Sequence, residues 1–290
     1  MKLNTKFNVV IAAIFTVGLL VTGYLSHAIL SANAHKDATA RATLVMEAAT
    51  AMEGYTQSEV ESLLTPHMDR EFLPQTVAAY AAMQTFNRMG DAYSGYSYKA
   101  AVLNPTNPRD KAFEWEADVV EAFRSDPARK EIVGIRPTTQ GDSLYLARPI
   151  TITDGNCLAC HGDPKKAPQT LLTKYGPANG FGWKLNEIVG AQIVSVPLSG
   201  ALEEARVAFV VFMGLLLVMF ATFVIVLNAM LKNIVIRPAT TMSDIADRVS
   251  KGDLEVPAFD VDGKDEMATL AGSFNRMRRS LEKAMRMLDK

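Results

Sequence analysis

The chain has 290 residues, 49% of them hydrophobic, and a formal net charge of −1. That length holds one sizeable domain with accessory segments, or two small domains. With 21% charged residues in near balance there is no electrostatic footprint for nucleic acid, so no nucleic-acid partner is expected. The apolar residues gather in two blocks. Between them lie the two cysteines of the chain, Cys157 and Cys160, followed directly by His161.

Residues 1–6 form a short basic flank with Lys2 and Lys6. Residues 7–30 carry no formal charge and are long enough to cross a bilayer core, so they are expected to be a first transmembrane helix. The same start also suits a signal peptide, with Ser31-Ala32-Asn33-Ala34 as a cleavable small-residue site. The apolar run is longer than a usual signal core and passes into a helical pattern, which favours an uncleaved span. Residues 207–231 make the second block, uncharged and apolar around the whole helix circumference, as a membrane span is. Lys232 and Arg237 follow it. Positive flanks mark the cytoplasmic side, so both termini are expected inside and residues 31–206 exported, as periplasmic domain of a two-pass protein of the bacterial inner (cytoplasmic) membrane.

Within the exported segment, residues 31–64 read as helix, with Leu44, Ala48, Ala51 and Tyr55 marking an apolar face and Thr65-Pro66 ending it. Residues 76–89 read as a second helix. The aromatic alternation at Tyr96 and Tyr98 predicts a strand, and Asn104-Pro105-Thr106-Asn107-Pro108 a turn. Residues 111–124 form an amphipathic helix with Phe113, Val119, Val120 and Phe123 on its apolar side, and strand-like runs follow at 132–137, 143–153 and 188–197. Helices followed by strands, with few alternating βα units, indicate an α+β fold: one antiparallel sheet carrying long helices.

Cys157-Leu158-Ala159-Cys160-His161 is the C-x-x-C-H pattern, in which two thiols form thioethers with haem vinyl groups and the adjacent imidazole reaches the iron as proximal ligand. Zinc would need further ligands, and no second cysteine pair exists. A thioredoxin-like pair would open a helix after a strand, whereas Gly162-Asp163-Pro164 breaks a helix here at once. A disulfide closing so small a loop would stabilise little. One covalent haem c is therefore the expected cofactor.

Several segments occur in one order: Tyr96-x-Tyr98, Asn104-Pro105-x-Asn107-Pro108, Ala147-Arg148-Pro149, the haem motif with Gly162, Tyr175-Gly176, Gly180-Phe181-Gly182-Trp183, Gly190-Ala191 and Val196-Pro197. Together they resemble a bacterial family of exported c-type haem domains with a PAS-like fold, over residues 40–200. The resemblance implies a single haem seated against a PAS-like sheet and a redox- or ligand-sensing role. In some members of that family a cysteine on the first long helix is the distal ligand. Here both cysteines belong to the haem, so the resemblance points to Met46, with Met52, His67, His35 or an open sixth site as alternatives. Arg148 and Arg136 are candidates to pair with the propionates. Tyr98, Trp183, Tyr96 and Phe181 are candidates to pack on the porphyrin, or simply to fill the core.

Residues 232–290 resemble a HAMP module. Pro238, Met242, Ile245 and Val249 give one short heptad helix, Gly252-Asp253-Leu254 a turn, and Val256, Val261 and Gly263 a connector. After Asp265-Glu266 a second heptad run follows: Met267, Leu270, Phe274, Met277, Leu281, Ala284 and Leu288. Two such helices suit a parallel four-helix bundle made by a homodimer. The expected function is non-enzymatic: a transmembrane haem sensor that relays redox or ligand state through HAMP to a separate cytoplasmic signalling partner. The alternative is a membrane-anchored electron-transfer cytochrome.

Overall fold

The computed structural model describes residues 3–90, 93, 95–253, 255–259 and 265–288. It divides into two units, Ser26–Phe209, and Met1–Leu25 with Val210–Lys290.

The first unit is built on a four-stranded antiparallel sheet in the order β1-β4-β3-β2, with β1 Ser97–Val102, β2 Ile132–Thr138, β3 Gly141–Thr151 and β4 Ile188–Pro197. The α+β expectation holds, and the predicted strands sit where alternation placed them, with ends shifted by a few residues. β4 pairs on both sides, and its near-continuous apolar run is buried on both faces, as a central strand requires. Edge strand β2 alternates between half-buried and exposed residues and accommodates Pro137, which has no N–H to give. Thr139 and Gln140 connect β2 to β3, and Gly141 takes φ +103° at the turn, where a Cβ would be strained.

Helix α1 runs unbroken from Leu3 to Tyr55 and covers one face of the sheet with its outer part. Its buried stripe is Ala34, Ala38, Ala42, Met46 and Ala49, at spacings of four and three residues. This corrects the face read from the sequence: Leu44 and Tyr55 are exposed. Small side chains let the helix approach Leu144, Leu146, Val194 and Val196 closely, and a large residue on that stripe would hold it off. Thr39, Thr43, Thr50 and Thr56 each donate their hydroxyl to the carbonyl four residues back, so these β-branched residues leave no polar group unpaired. Past Tyr55 a wider turn, Thr56–Val60, leads into a short helix α2 (Glu61–Leu64), and α3 (Ala78–Phe86) follows.

The other face carries α4 (Glu114–Ser125). Val119, Val120 and Phe123 settle on Ala101, Ala147, Ala191 and Ile193, large side chains over small ones. Glu116 is buried, accepts the Phe113 amide at 2.8 Å and pairs with Lys99 at 2.6 Å.

In the second unit, α1 begins and α7 (Ser199–Met230) continues, both in windows of high mean hydropathy, 2.2 and 3.0, long and apolar enough to cross a membrane. Asn8 and Asn228 exchange side-chain amide hydrogen bonds at 3.0 and 2.9 Å, and Phe15 stacks on Phe220 at 3.6 Å. Paired amides satisfy each other where lipid offers no partner. After a wide turn at Leu231–Ile236 come α8 (Arg237–Ser250), with Pro238 in its first turn, and α9 (Glu266–Leu288), whose start Asp265 caps through the Ala268 amide at 2.8 Å. Asn275 grips both backbone groups of Phe259 at 3.0 and 2.9 Å, and Val249, Val256 and Ala271 are buried. Leu270, Met277 and Leu281 on α9 are exposed. Leu254, Val261 and Gly263 of the expected turn and connector lie outside the described residues.

One polar group ties α1 to the sheet. The half-buried Glu53 carboxylate accepts Tyr98 Oη from β1 at 2.6 Å and Gln192 Nε2 from β4 at 2.6 Å. Burial holds the Glu53 carboxyl above its ordinary value of 4.5, opposed by those two hydrogen bonds. The folded state then holds the Glu53 proton more tightly than the unfolded chain does. This residue's contribution is greatest below the unfolded pKa and declines as pH rises through the folded one. Scanning calorimetry of Glu53→Gln beside the wild type should show a stability difference that shifts in the variant's favour as pH rises above about 4.5. Glu53→Leu, which strands Tyr98 and Gln192, should cost about 1–3 kcal/mol.

Candidate functional site

The three motif residues sit in an insertion between the two central strands. Leaving β3, the chain is pinned at Ile152, whose amide donates to Glu187 O at 3.0 Å and whose carbonyl accepts from Asn186 at 2.8 Å. The insertion is therefore closed at its base. Asp154 accepts the Asn156 amide at 2.8 Å and turns the chain into α5 (Cys157–His161), a single helical turn that ends at Gly162. Residues three apart on a helix face the same way, so Cys157 and Cys160 present their thiols side by side. Both are half-buried and free. Burial, with the carboxylates of Asp154 and Glu61 nearby, raises the Cys157 thiol above its ordinary range, and burial with Glu61 does the same for Cys160.

His161 is held from three directions. Its Nδ1 lies 2.8 Å from the Gly180 carbonyl and 3.3 Å from Thr106 Oγ1. Its ring stacks on Trp183 with centroids 4.0 Å apart and planes inclined by 10°. A carbonyl can only accept, so Nδ1 carries the proton and Nε2 keeps a free lone pair. Among the described residues nothing hydrogen-bonds to Nε2. Burial lowers the proton affinity of the ring, with the Gly180 carbonyl opposing it, so the imidazole is kept neutral.

The strap that delivers these contacts is Gly180-Phe181-Gly182-Trp183. Gly182 N donates to Gly162 O at 2.8 Å and Trp183 N to His161 O at 3.1 Å, which ties strap to motif backbone. Gly180 N donates to Asn104 Oδ1 at 3.3 Å. Gly180 has φ +81°, and a Cβ there would overlap Thr106, so any larger residue would push the strap away from the histidine.

These residues fit a covalently held haem: adjacent free thiols, and a neutral imidazole with one nitrogen engaged and the other available. Among the described residues no group of three or more His, Cys, Asp and Glu side chains is placed to share a metal ion, so a zinc cluster has no counterpart here.

The other site candidates are dispersed. Met46 is fully buried in the apolar cluster with Tyr98, Leu146 and Val194. Glu61, the helix residue close enough to act on both cysteines, lies about 22 Å further along the chain at 1.5 Å per residue. The structure thus places Met46 in the packed layer between α1 and the sheet. Met52 is half-buried against the same cluster. His35 Nδ1 bonds to Ser31 O at 2.8 Å on its own helix, and His67 is exposed. Arg148 is claimed by Glu47 at 2.8 Å and Glu131 at 3.1 Å, and Arg136 lies over Trp115 at 4.2 Å, so neither guanidinium is brought to the motif. Tyr98 is engaged with Glu53 and packs on Phe86, and Tyr96 packs on Tyr93. Trp183 alone of the aromatic candidates reaches the motif with a ring contact, and it packs on the histidine. Sequence reasoning missed Thr106 and Glu61. It quoted Asn104 and Gly180 within motif segments without their role as props.

A family model described as Tll0287-like matches residues 31–197, more than half of the chain. The chain belongs to the Tll0287-like family. A HAMP domain model matches residues 228–283, so the Tll0287-like domain is followed by a HAMP domain. Among solved structures, the crystal structure of the cyanobacterial heme-protein Tll0287 is similar, at 17% identity and a TM-score of 0.42, covering 55% of this chain and 94% of that one. A comparison with curated proteins found no match. The Tll0287-like match takes in the outer part of α1, the whole sheet and the complete motif insertion with its strap.

The strap geometry has a direct consequence. Gly180→Ala should lower stability by about 1–3 kcal/mol through the strained φ and the overlap with Thr106. Gly155→Ala, where a Cβ meets nothing within 4 Å, should leave the melting temperature unchanged. Thermal melts of the two variants check this.

Proposed function

We propose that the protein is a two-pass membrane sensor of the bacterial inner membrane, with one c-type haem on the exported domain and a HAMP dimer inside the cell. The observation that carries it is the posture of His161: Nδ1 tied to Gly180, ring backed by Trp183, and Nε2 left free beside two unpaired thiols. Cys157 and Cys160 would tether the porphyrin, and His161 Nε2 would hold the iron. Bound there, a haem would supply a one-electron redox couple and an iron able to take a small molecule as ligand.

The chain's own part is to hold the imidazole and to carry its displacement. The Gly180 carbonyl keeps the proton on Nδ1 and raises the basicity of Nε2. The base of the insertion is fastened between β3 and β4, and β4 passes through buried Leu198 directly into α7. Glu53 fastens β1 and β4 to α1, which is continuous with the first apolar segment. A shift at the insertion thus has a covalent route into α7 and a hydrogen-bonded one into α1. Positive flanks at Lys2 and Lys6, and at Lys232 and Arg237, support a cytoplasmic position for both ends. The exposed apolar stripe of Leu270, Met277 and Leu281 on α9 supports a HAMP homodimer acting on a cytoplasmic partner. The role is one of signalling: the site offers a haem ligand and its props, and a HAMP domain follows it.

Two measurements check the assignment. In a host that attaches haem on the exported side, haem staining of the denatured full-length protein should be positive for the wild type. It should be negative for Cys157→Ala with Cys160→Ala, and staining retained by the double variant contradicts the tether. Met46→Leu, close in volume, should leave the visible absorption spectrum unchanged in both oxidation states. A changed axial-ligand signature would return Met46 to the iron.

A further inference from the structure

On the face of the sheet that carries α4, a cleft of about 350 Å³ opens beside β1 and β4. It continues past Arg136 into a second hollow of about 190 Å³ that shares Ser97, Arg136 and Ser195 with it. This is the size range of small-molecule sites. Its charges are mostly satisfied internally. Lys99 is neutralised by Glu116 at 2.6 Å, and Arg109 by Asp110 at 3.3 Å.

Arg136 is different. It projects from edge strand β2 over the Trp115 ring at 4.2 Å, and among the described residues no carboxylate pairs with it. The ring attracts the cation without using up its N–H donors, and Arg136 lines the cleft. Ser97 and Ser195 stand opposite one another in the β1–β4 register and line the same cleft. Among the described residues neither hydroxyl has a hydrogen-bond partner. Met83, Phe113 and Ile193 supply an apolar wall. One unpaired planar cation, two free hydroxyls and an apolar wall match a single carboxylate on a small apolar body. A compact dianion such as phosphate would need a second cation that is already committed.

We propose that this cleft is a binding site for a small organic monocarboxylate, held by Arg136 with the Ser97 and Ser195 hydroxyls. The site is on the sheet face opposite α1 and uses none of Cys157, Cys160 and His161. It gives the exported domain a second chemical input, on the strands that lead into α7.

The test is titration calorimetry on the full-length protein in detergent, with sodium benzoate, uncharged benzamide and inorganic phosphate as probes. Benzoate should bind saturably, benzamide at least about tenfold more weakly, and phosphate not at all, because the charge-assisted fork is the main anchor. Arg136→Gln should weaken benzoate at least about tenfold while the visible spectrum, which reports the haem site separately, stays as in the wild type. Ser195→Leu, which fills the cleft without touching the cation, should also abolish benzoate binding and serves if Arg136→Gln does not fold. Equal affinity for benzoate and benzamide, preference for phosphate, benzoate binding that survives both variants, or no saturable binding overturns the proposal.

Discussion

The hydrogen bond from His161 Nδ1 to the Gly180 carbonyl is the constraint on which the site depends. It decides the tautomer, and so which ring nitrogen is free. It also decides where the strap must run, since the carbonyl can reach the ring only if Gly180 adopts a left-handed conformation hard against Thr106. Asn104 holds the strap from the other side, and Trp183 closes the ring's face. A histidine on a single helical turn would otherwise rotate freely. Here its orientation is set by groups from two separate parts of the chain, the Thr106 turn and the Gly180–Trp183 strap, which is the preorganisation that a metal ligand needs.

The fold turns this local posture into something the rest of the chain can register. The sheet is clad on both faces by large-on-small packing: an alanine stripe of α1 on one side, and alanines under Phe123 and Val120 on the other. Close-packed layers transmit displacement rather than absorb it. Glu53 adds a directional contact, because one carboxylate bridges α1 to two strands at once. In the proposed sensor the elements that grip the haem domain are the same ones that continue as the two apolar helices. An electron carrier would need an anchor, but neither this continuity nor a HAMP domain behind it.

Much of this was legible in the residues, and the failures have physical causes. β4 announced itself by a near-continuous apolar run and α4 by its periodicity, because both signals are local. The C-x-x-C-H stretch stood out because two thiols and an imidazole at that spacing have few uses besides holding a cofactor. The props of His161 were not, since Thr106 and Gly180 lie 55 and 19 residues away and only folding brings them together. The buried face of α1 was misjudged because hydrophobicity favours Leu44, whereas close approach to a sheet favours alanine. Arg148 and Arg136 looked like free cations. The first is paired with Glu47 and Glu131, and the second, far along β2, lies over an aromatic ring, neighbours that no one-dimensional pattern reveals.

In the proposed sensor the state of the haem reaches the HAMP helices. Pulsed dipolar spectroscopy on the full-length protein in lipid nanodiscs, spin-labelled through Leu281→Cys on the exposed stripe of α9, reads that coupling. The ferric protein should give one inter-protomer distance distribution and the ferrous protein a measurably shifted one, with the shift lost in His161→Ala. Superimposable distributions in the two oxidation states would contradict it.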